Sequence, residues 1–192
     1  MLNMAQRGFT LPETLLALAL GSLIMLSAAQ LYPLLRMQSQ NSAQYFRLEQ
    51  LFSQAASGIE KDMRRAGFCA GECQGRAVSI GEYPGEMAQS CLNVSYDLNL
   101  NGNWDGGERQ DESFGYRLRA GALEIQSGAH HCRGDRWEKL FDPQEVTLTL
   151  FHLRRLNDRP GAALYQLRLA GYWTKRPTIR QQISRLVIGR NQ

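Results

Sequence analysis

Arg7-Gly8-Phe9-Thr10-Leu11-Pro12-Glu13, running directly into the uncharged stretch from Thr14 to Tyr32 (TLLALALGSLIMLSAAQLY), decides how the rest of the chain is read. The uncharged stretch has about the length that a bilayer core requires of a helix. One acid, Glu13, stands just inside its N-terminal edge. A carboxylate there is costly unless a partner neutralises it or it faces a protein interior. An ordinary secretory signal peptide would place a small-residue cleavage site after the apolar core, and Ser27-Ala28-Ala29 has that character. It would also carry a basic stretch ahead of the core, where Arg7 stands alone. Neither that reading nor a plain signal anchor gives Glu13 a reason to be there.

After Pro33 the sequence turns polar and keeps a helical beat. Leu48, Leu51, Phe52, Ala55, Ile59 and Met63 recur at spacings of three and four, with Glu49, Gln50, Glu60 and Lys61 between them. One apolar stripe of this kind must cover something, most simply a sheet of the same chain. Gly67, after Arg64-Arg65-Ala66, suits a helix stop, with the arginines near the negative end of the helix dipole. A single helix, bent at Pro33, is therefore expected from about Phe9 to Ala66. Gly21 within it permits close approach of another subunit.

Beyond Gly67 the period changes from 3.6 to two. Residues 68–90 read as Gly-rich and irregular. Leu92, Val94 and Tyr96 alternate with polar residues, as do Phe114, Tyr116 and Leu118, followed by Leu123 and Ile125. Segments 145–152, 162–174 and 178–188 continue the pattern. Alternation punctuated by Gly and Pro predicts an antiparallel sheet with one face on the helix. The fold class is α+β: a long N-terminal helix, its first half in the membrane, packed on an antiparallel β-sheet domain. The 192 residues leave room for one domain of ordinary size after the helix.

The motif Gly8-Phe9-Thr10-Leu11-x-Glu13 ahead of an apolar helix resembles the class III signal of type IV prepilins and pseudopilins, and the helix-then-sheet layout resembles their architecture. Arg64-Arg65-Ala66-Gly67-Phe68 and Val187-Ile188-Gly189-Arg190-Asn191 resemble the corresponding stretches of W-type minor pilins. The J-type pseudopilin of type II secretion is a near relative. The resemblance implies cleavage by prepilin peptidase after Gly8 and N-methylation of the freed Phe9 amine. It also implies pairing of Glu13 with the Phe9 amine of a neighbouring subunit. Pro12, where the family mostly has an aliphatic residue, is the one departure. Proline in a first helical turn costs little, because those N–H groups lack partners anyway.

Four segments follow from the resemblance: a leader over 1–8, an assembly and membrane half over 9–35, an amphipathic half over 36–66 and a β-rich head over 67–192. The chain is expected to cross the inner membrane once with its head in the periplasm, and then to stand at a pilus or pseudopilus tip. Its implied partners are other minor pilins or pseudopilins, the major pilin, prepilin peptidase and inner-membrane lipid. The implied role is to prime pilus assembly, with a J-type pseudopilin as the alternative. A membrane-anchored calcium- or DNA-binding module that never polymerises is the alternative of another class.

Cys69, Cys73, Cys91 and Cys132 all follow the apolar helix. In an exported, oxidising setting an even count reads as two disulfides. Of three possible pairings, a short staple Cys69–Cys73 with a long clasp Cys91–Cys132 is favoured. A zinc cluster of these cysteines with His130 and His131 is disfavoured, since adjacent side chains point apart on most backbones.

Asp97-x-Asn99-x-Asn101-Gly102-x5-Glu108 fits the twelve-residue calcium-loop template. Asn103 would offer its carbonyl from the seventh position, Asp105 occupies the ninth, and Glu108 would bind through both oxygens. Strands rather than helices flank it, so the loop is a hairpin insertion, and the neutral Asn ligands weaken any site. The alternative is a polar hairpin loop with no ion. The adjacent pair Asp111-Glu112 reads as solvated.

Net charge is +4, unevenly spread: residues 67–132 carry −5 and residues 133–192 carry +7. No block of like charges or aromatic-interleaved basic stripe supports nucleic acid. No nucleophile–base order, phosphate loop or zinc motif supports an enzyme.

Overall fold

The computed structural model describes residues 9–105, 111–157 and 162–191. Helix α1 runs over Leu11–Arg65 and is followed by eight strands. The chain divides into two compact units, Met1–Ala43 and Gln44–Gln192.

In the first unit the helix is exposed on every side from Leu11 to Ala43. Its turns pass through Pro33 without an end. Among the described residues this is the one helix long and apolar enough to cross a membrane.

In the second unit the helix is amphipathic. Leu48, Phe52, Ala55, Ala56, Ile59 and Met63 are buried, at the spacing that puts them on one face. Leu51, expected on the same stripe, is partly buried beside it. The helix stops where Gly67 adopts φ 86°, the left-handed conformation that glycine takes without a Cβ clash. The Gly67 N–H then donates to Ser95 O and the Phe68 N–H to Arg65 O.

The expected single sheet is two. Sheet A is a five-stranded antiparallel meander in the order β1 (Val78–Gly81), β2 (Cys91–Ser95), β3 (Ser113–Arg119), β4 (Ala122–Ser127) and β5 (Glu138–Lys139). Sheet B has three antiparallel strands, β6 (Val146–Arg155), β7 (Ala163–Trp173) and β8 (Arg176–Gly189). The chain leaves sheet A at a turn where Asp142 accepts from the Gln144 and Glu145 N–H groups, and Pro143 cannot donate to a ladder. The sheets still touch. Leu148 N–H donates to Gly121 O and Leu153 N–H to Gln89 O.

The register sets which residues face in. In β7, Ala163, Tyr165, Leu167, Leu169, Gly171 and Trp173 are buried and their alternates are not. These residues, the helix stripe, and Leu92, Val94, Tyr116 and Leu123 of sheet A form one apolar core. The helix therefore covers both sheets at once, and its loss would expose the inner face of each.

Polar ties fix the helix on both. Asp62 accepts from the Tyr116 hydroxyl at 2.5 Å and the Tyr96 hydroxyl at 3.2 Å, which joins it to sheet A. Burial and the Asp62 charge push the Tyr96 phenol up to about 12. The same causes push Tyr116 further up. On the sheet B side, Arg185 donates to Ser53, Ser57 and Glu60.

Candidate processing and assembly site

Residues 9–13 open the helix. The Glu13 and Thr14 N–H groups both donate to Thr10 O, so Thr10 stands at the cap. Glu13 Oε2 lies 3.5 Å from the Thr10 amide and hydroxyl, both able to donate to it. This is the capping-box spacing, in which an acid three residues in reaches back to the first N–H groups. Pro12 sits inside the first turn, where it displaces no helix bond. Phe9 is 83% exposed, and Gly8, the other side of the expected cleavage point, lies outside the described residues.

Glu13 thus has a local anchor for its carboxylate at the positive end of the helix dipole. That anchor is exposed, and it does not neutralise the charge. A free amine could do so, and the exposed side chain is open to one. Thr10 as the partner of Glu13 was legible from Thr10-x-x-Glu13 alone, yet the apolar run drew the reading elsewhere.

The loop between β2 and β3 joins its expected residues differently. Asp97 is 2% exposed. Its Oδ2 accepts from the Ala70 N–H at 3.0 Å and the Gly102 N–H at 2.9 Å, and its Oδ1 from the Asn101 N–H at 3.2 Å. Burial alone would raise the Asp97 carboxyl. The N–H groups of Ala70, Gly102, Leu100 and Asn101 outweigh it and hold the group below the usual carboxylate range. Asn99 Oδ1 accepts from the Asn101 N–H, and Asn101 Oδ1 from the Asn103 N–H. The side-chain amides of Asn99 and Asn101 both donate to Asp105 Oδ2. Gly102 makes the sharp turn at φ 82°. Glu108 lies outside the described residues.

Glu112, read from the sequence as solvated, is 1% exposed. It accepts from the N–H groups of Leu98, Asn99 and Asp105. The correction has a simple cause. The start of β3 turns this side chain under the loop, where it meets three amide donors. A buried unpaired amide would be costly. The described part of the loop is thus closed by its own hydrogen bonds, with amide donors on Asp105 where a cation would otherwise sit. The calcium expectation continues to rest on the residue spacing.

Cys69 is joined to Cys73 and Cys91 to Cys132, the favoured pairing. The sulfurs of Cys69 and Cys73 lie near Asp97, but disulfide sulfurs carry no thiolate for a metal. The long clasp frames a polar cluster that sequence reading missed. Arg117 is fully buried, with Nε 2.7 Å from Glu124 and Nη1 on the carbonyls of Cys132 and Gly134. Its guanidinium lies over the rings of Trp137 and Tyr83. Nothing local in an alternating strand distinguishes such an arginine from a solvated one.

Two family models match the chain. Prepilin peptidase-dependent protein B matches over residues 41–189, and the prokaryotic N-terminal methylation motif over residues 3–29. Among curated proteins, the chain is similar to prepilin peptidase-dependent protein B of Escherichia coli strain K12. The two are 32% identical over 152 residues, which are 78% of each chain. No solved structure matches.

Proposed function

The chain belongs to the prepilin peptidase-dependent protein B family, and from that premise we propose that it is a minor type IV pilin that helps to prime pilus assembly and then stands at the fibre tip. It is a prepilin peptidase-dependent, minor pilin-like protein, and its methylation motif with the apolar helix points to membrane anchoring. In the proposed path, the peptidase cuts between Gly8 and Phe9, the Phe9 amine is methylated, and the subunit waits as a single-pass protein with a periplasmic head. It acts as a structural subunit and not as an enzyme.

The observation that carries the reading is the exposed apolar helix with one open carboxylate at its start. Such a helix is stable in lipid or in a bundle of its own kind, and Glu13 discriminates between the two. In lipid the carboxylate is costly. Beside the Phe9 amine of a neighbouring subunit it is paired, and leaving the lipid becomes favourable. The partners are then other minor pilins and the major pilin. Residues 1–8 act as the leader, 9–35 as the membrane and assembly half, 36–66 as the amphipathic half, and 67–192 as the head.

Glu13→Ala tests the pairing. The variant should enter the membrane at least as well as wild type, because an uncharged helix inserts more easily, while fibre number falls. Normal fibre number with Glu13→Ala would remove the pairing role. Deleting the whole chain separates the two systems: loss of surface fibres supports the pilus, and loss of protein secretion with normal fibres supports the J-type pseudopilin.

A further inference from the structure

The outer face of sheet B, turned away from the helix, has an order that core packing does not require. Alternation in β7 and β8 and the register between the strands place Arg154 of β6 and Arg168 of β7 in neighbouring rows. Arg180 of β8 lies further along the same face. Among the described residues no ion pair or side-chain hydrogen bond engages the guanidinium of any of the three. Between Arg168 and Tyr172 the small side chain of Ala170 leaves a depression of about 500 Å³, rimmed by Tyr172, Pro177 and Arg180. At the other end of the face the row Leu164–Ile188 and the adjacent Leu186 are apolar. Leu186 is 60% exposed and Ile188 52%. Leu156, which donates its N–H to Leu164 O, extends the patch at 39% exposure.

Free arginines beside exposed aliphatic groups on one sheet suit a protein interface, whose buried part is apolar and in which arginine is enriched. A nucleic acid backbone would use the arginines and leave the aliphatic patch in water.

The occupant must supply carboxylates grouped on one surface, and among the described residues of this chain the exposed acids are dispersed. Residues 67–132 carry −5 by count, but Asp97, Glu112 and Glu124 are buried and Asp105 is bonded to Asn99 and Asn101. Of the exposed acids of the described head, Glu72, Asp135, Glu138 and Glu145 stand near exposed Arg76, Arg136, Lys139 and Arg47 in sequence or in an ion pair, and Glu82 and Asp142 stand singly. Among the described residues the acidic half of the sequence therefore forms no continuous acidic surface. We propose that the outer face of sheet B docks an acidic polypeptide surface of a different protein, its carboxylates on Arg154, Arg168 and Arg180 and its apolar side chains on Leu164, Leu186 and Ile188. This rests on the geometry of the face and stands whether or not the chain is a tip subunit.

The test uses the full chain in detergent and a labelled synthetic peptide of alternating Glu and Val as the probe. The wild type should bind it with an affinity that falls as salt rises. Joint replacement of Arg154, Arg168 and Arg180 by Gln should weaken binding by about tenfold or more, since each exposed pair contributes modestly and three act together. Leu186→Ser with Ile188→Ser should weaken it at low and high salt alike. Lys61→Gln with Arg190→Gln, which removes exposed cations elsewhere on the head, should change nothing, and circular-dichroism melting should be unaltered in all three variants. Equal binding by the triple Arg variant, or equal loss in the Lys61 and Arg190 control, overturns the proposal. So does an oligothymidylate that displaces the peptide and binds independently of Leu186 and Ile188. Self-association of the full chain that the triple Arg variant abolishes would assign the face to a second copy and overturn the choice of partner.

Discussion

Glu112 and Asp97 show how single carboxylates can hold a loop whose Leu98 and Leu100 side chains stay exposed. Glu112 engages three backbone N–H groups and Asp97 four, and the Asp97 set includes Ala70, which brings the Cys69–Cys73 staple against the loop. Glu112→Ala should therefore lower stability by at least about 2 kcal/mol, because buried donors are left unpaired. The melting temperature in the presence of chelator checks this. Equal melting of wild type and variant would show that these hydrogen bonds contribute nothing to stability. His152 gives a second residue-scale expectation. Burial, with Arg168 and Arg154 nearby, holds its imidazole below the ordinary value of 6.5. The unfolded chain then takes up a proton at a higher pH than the folded one does. Stability from this residue is full above 6.5 and is lost as pH falls through the folded value. His152→Gln should flatten the acid side of the stability curve, and an unchanged curve would remove His152 as its cause.

At the scale of elements, the helix is tied to sheet A by Asp62 with Tyr96 and Tyr116, and to sheet B by Arg185. The phenols supply a test with the opposite sign. Their folded values lie above the ordinary 10.0, with Tyr96 at about 12. Their contribution is complete below pH 10 and disappears as pH rises through the folded values. Alkaline unfolding followed by tyrosinate absorbance should begin above pH 10, and Tyr116→Phe should shrink the loss. Breaking the Arg117–Glu124 pair with Glu124→Ala should cost about 3–5 kcal/mol, because it strands a buried guanidinium. Denaturant melts would show the change. The helix stripe was legible because burial at spacings of three and four writes itself into Leu48, Phe52, Ala55, Ile59 and Met63. Long alternating strands such as β7 were legible for the same reason. Strands β1 and β5, of four and two residues, are too short to show a period. Two sheets were read as one because the break depends on Asp142 and Pro143 re-aiming the chain, and alternation is the same on either side of it. Burial of Asp97, Glu112 and Arg117 was illegible because each has a partner far off in sequence: Ala70 for Asp97, Leu98 and Asn99 for Glu112, and Cys132 for Arg117.

For the whole molecule, sequence and structure converge on a head of its own core carried by an apolar helix. In the proposed path the motif Gly8-Phe9-Thr10-Leu11-Pro12-Glu13 is cut after Gly8 and presents the new Phe9 amine. Glycine at the cut leaves the backbone open to the peptidase. Gly8→Val should leave the uncut form in the membrane, visible as a heavier band. The most direct test is mass spectrometry of the N-terminal peptide of the membrane-bound protein from cells that contain prepilin peptidase. The account predicts a chain that begins at Phe9, methylated on its amine, and an uncut chain when the peptidase is absent. A mature chain that begins after Ala29, or one whose start is the same with and without the peptidase, would contradict it.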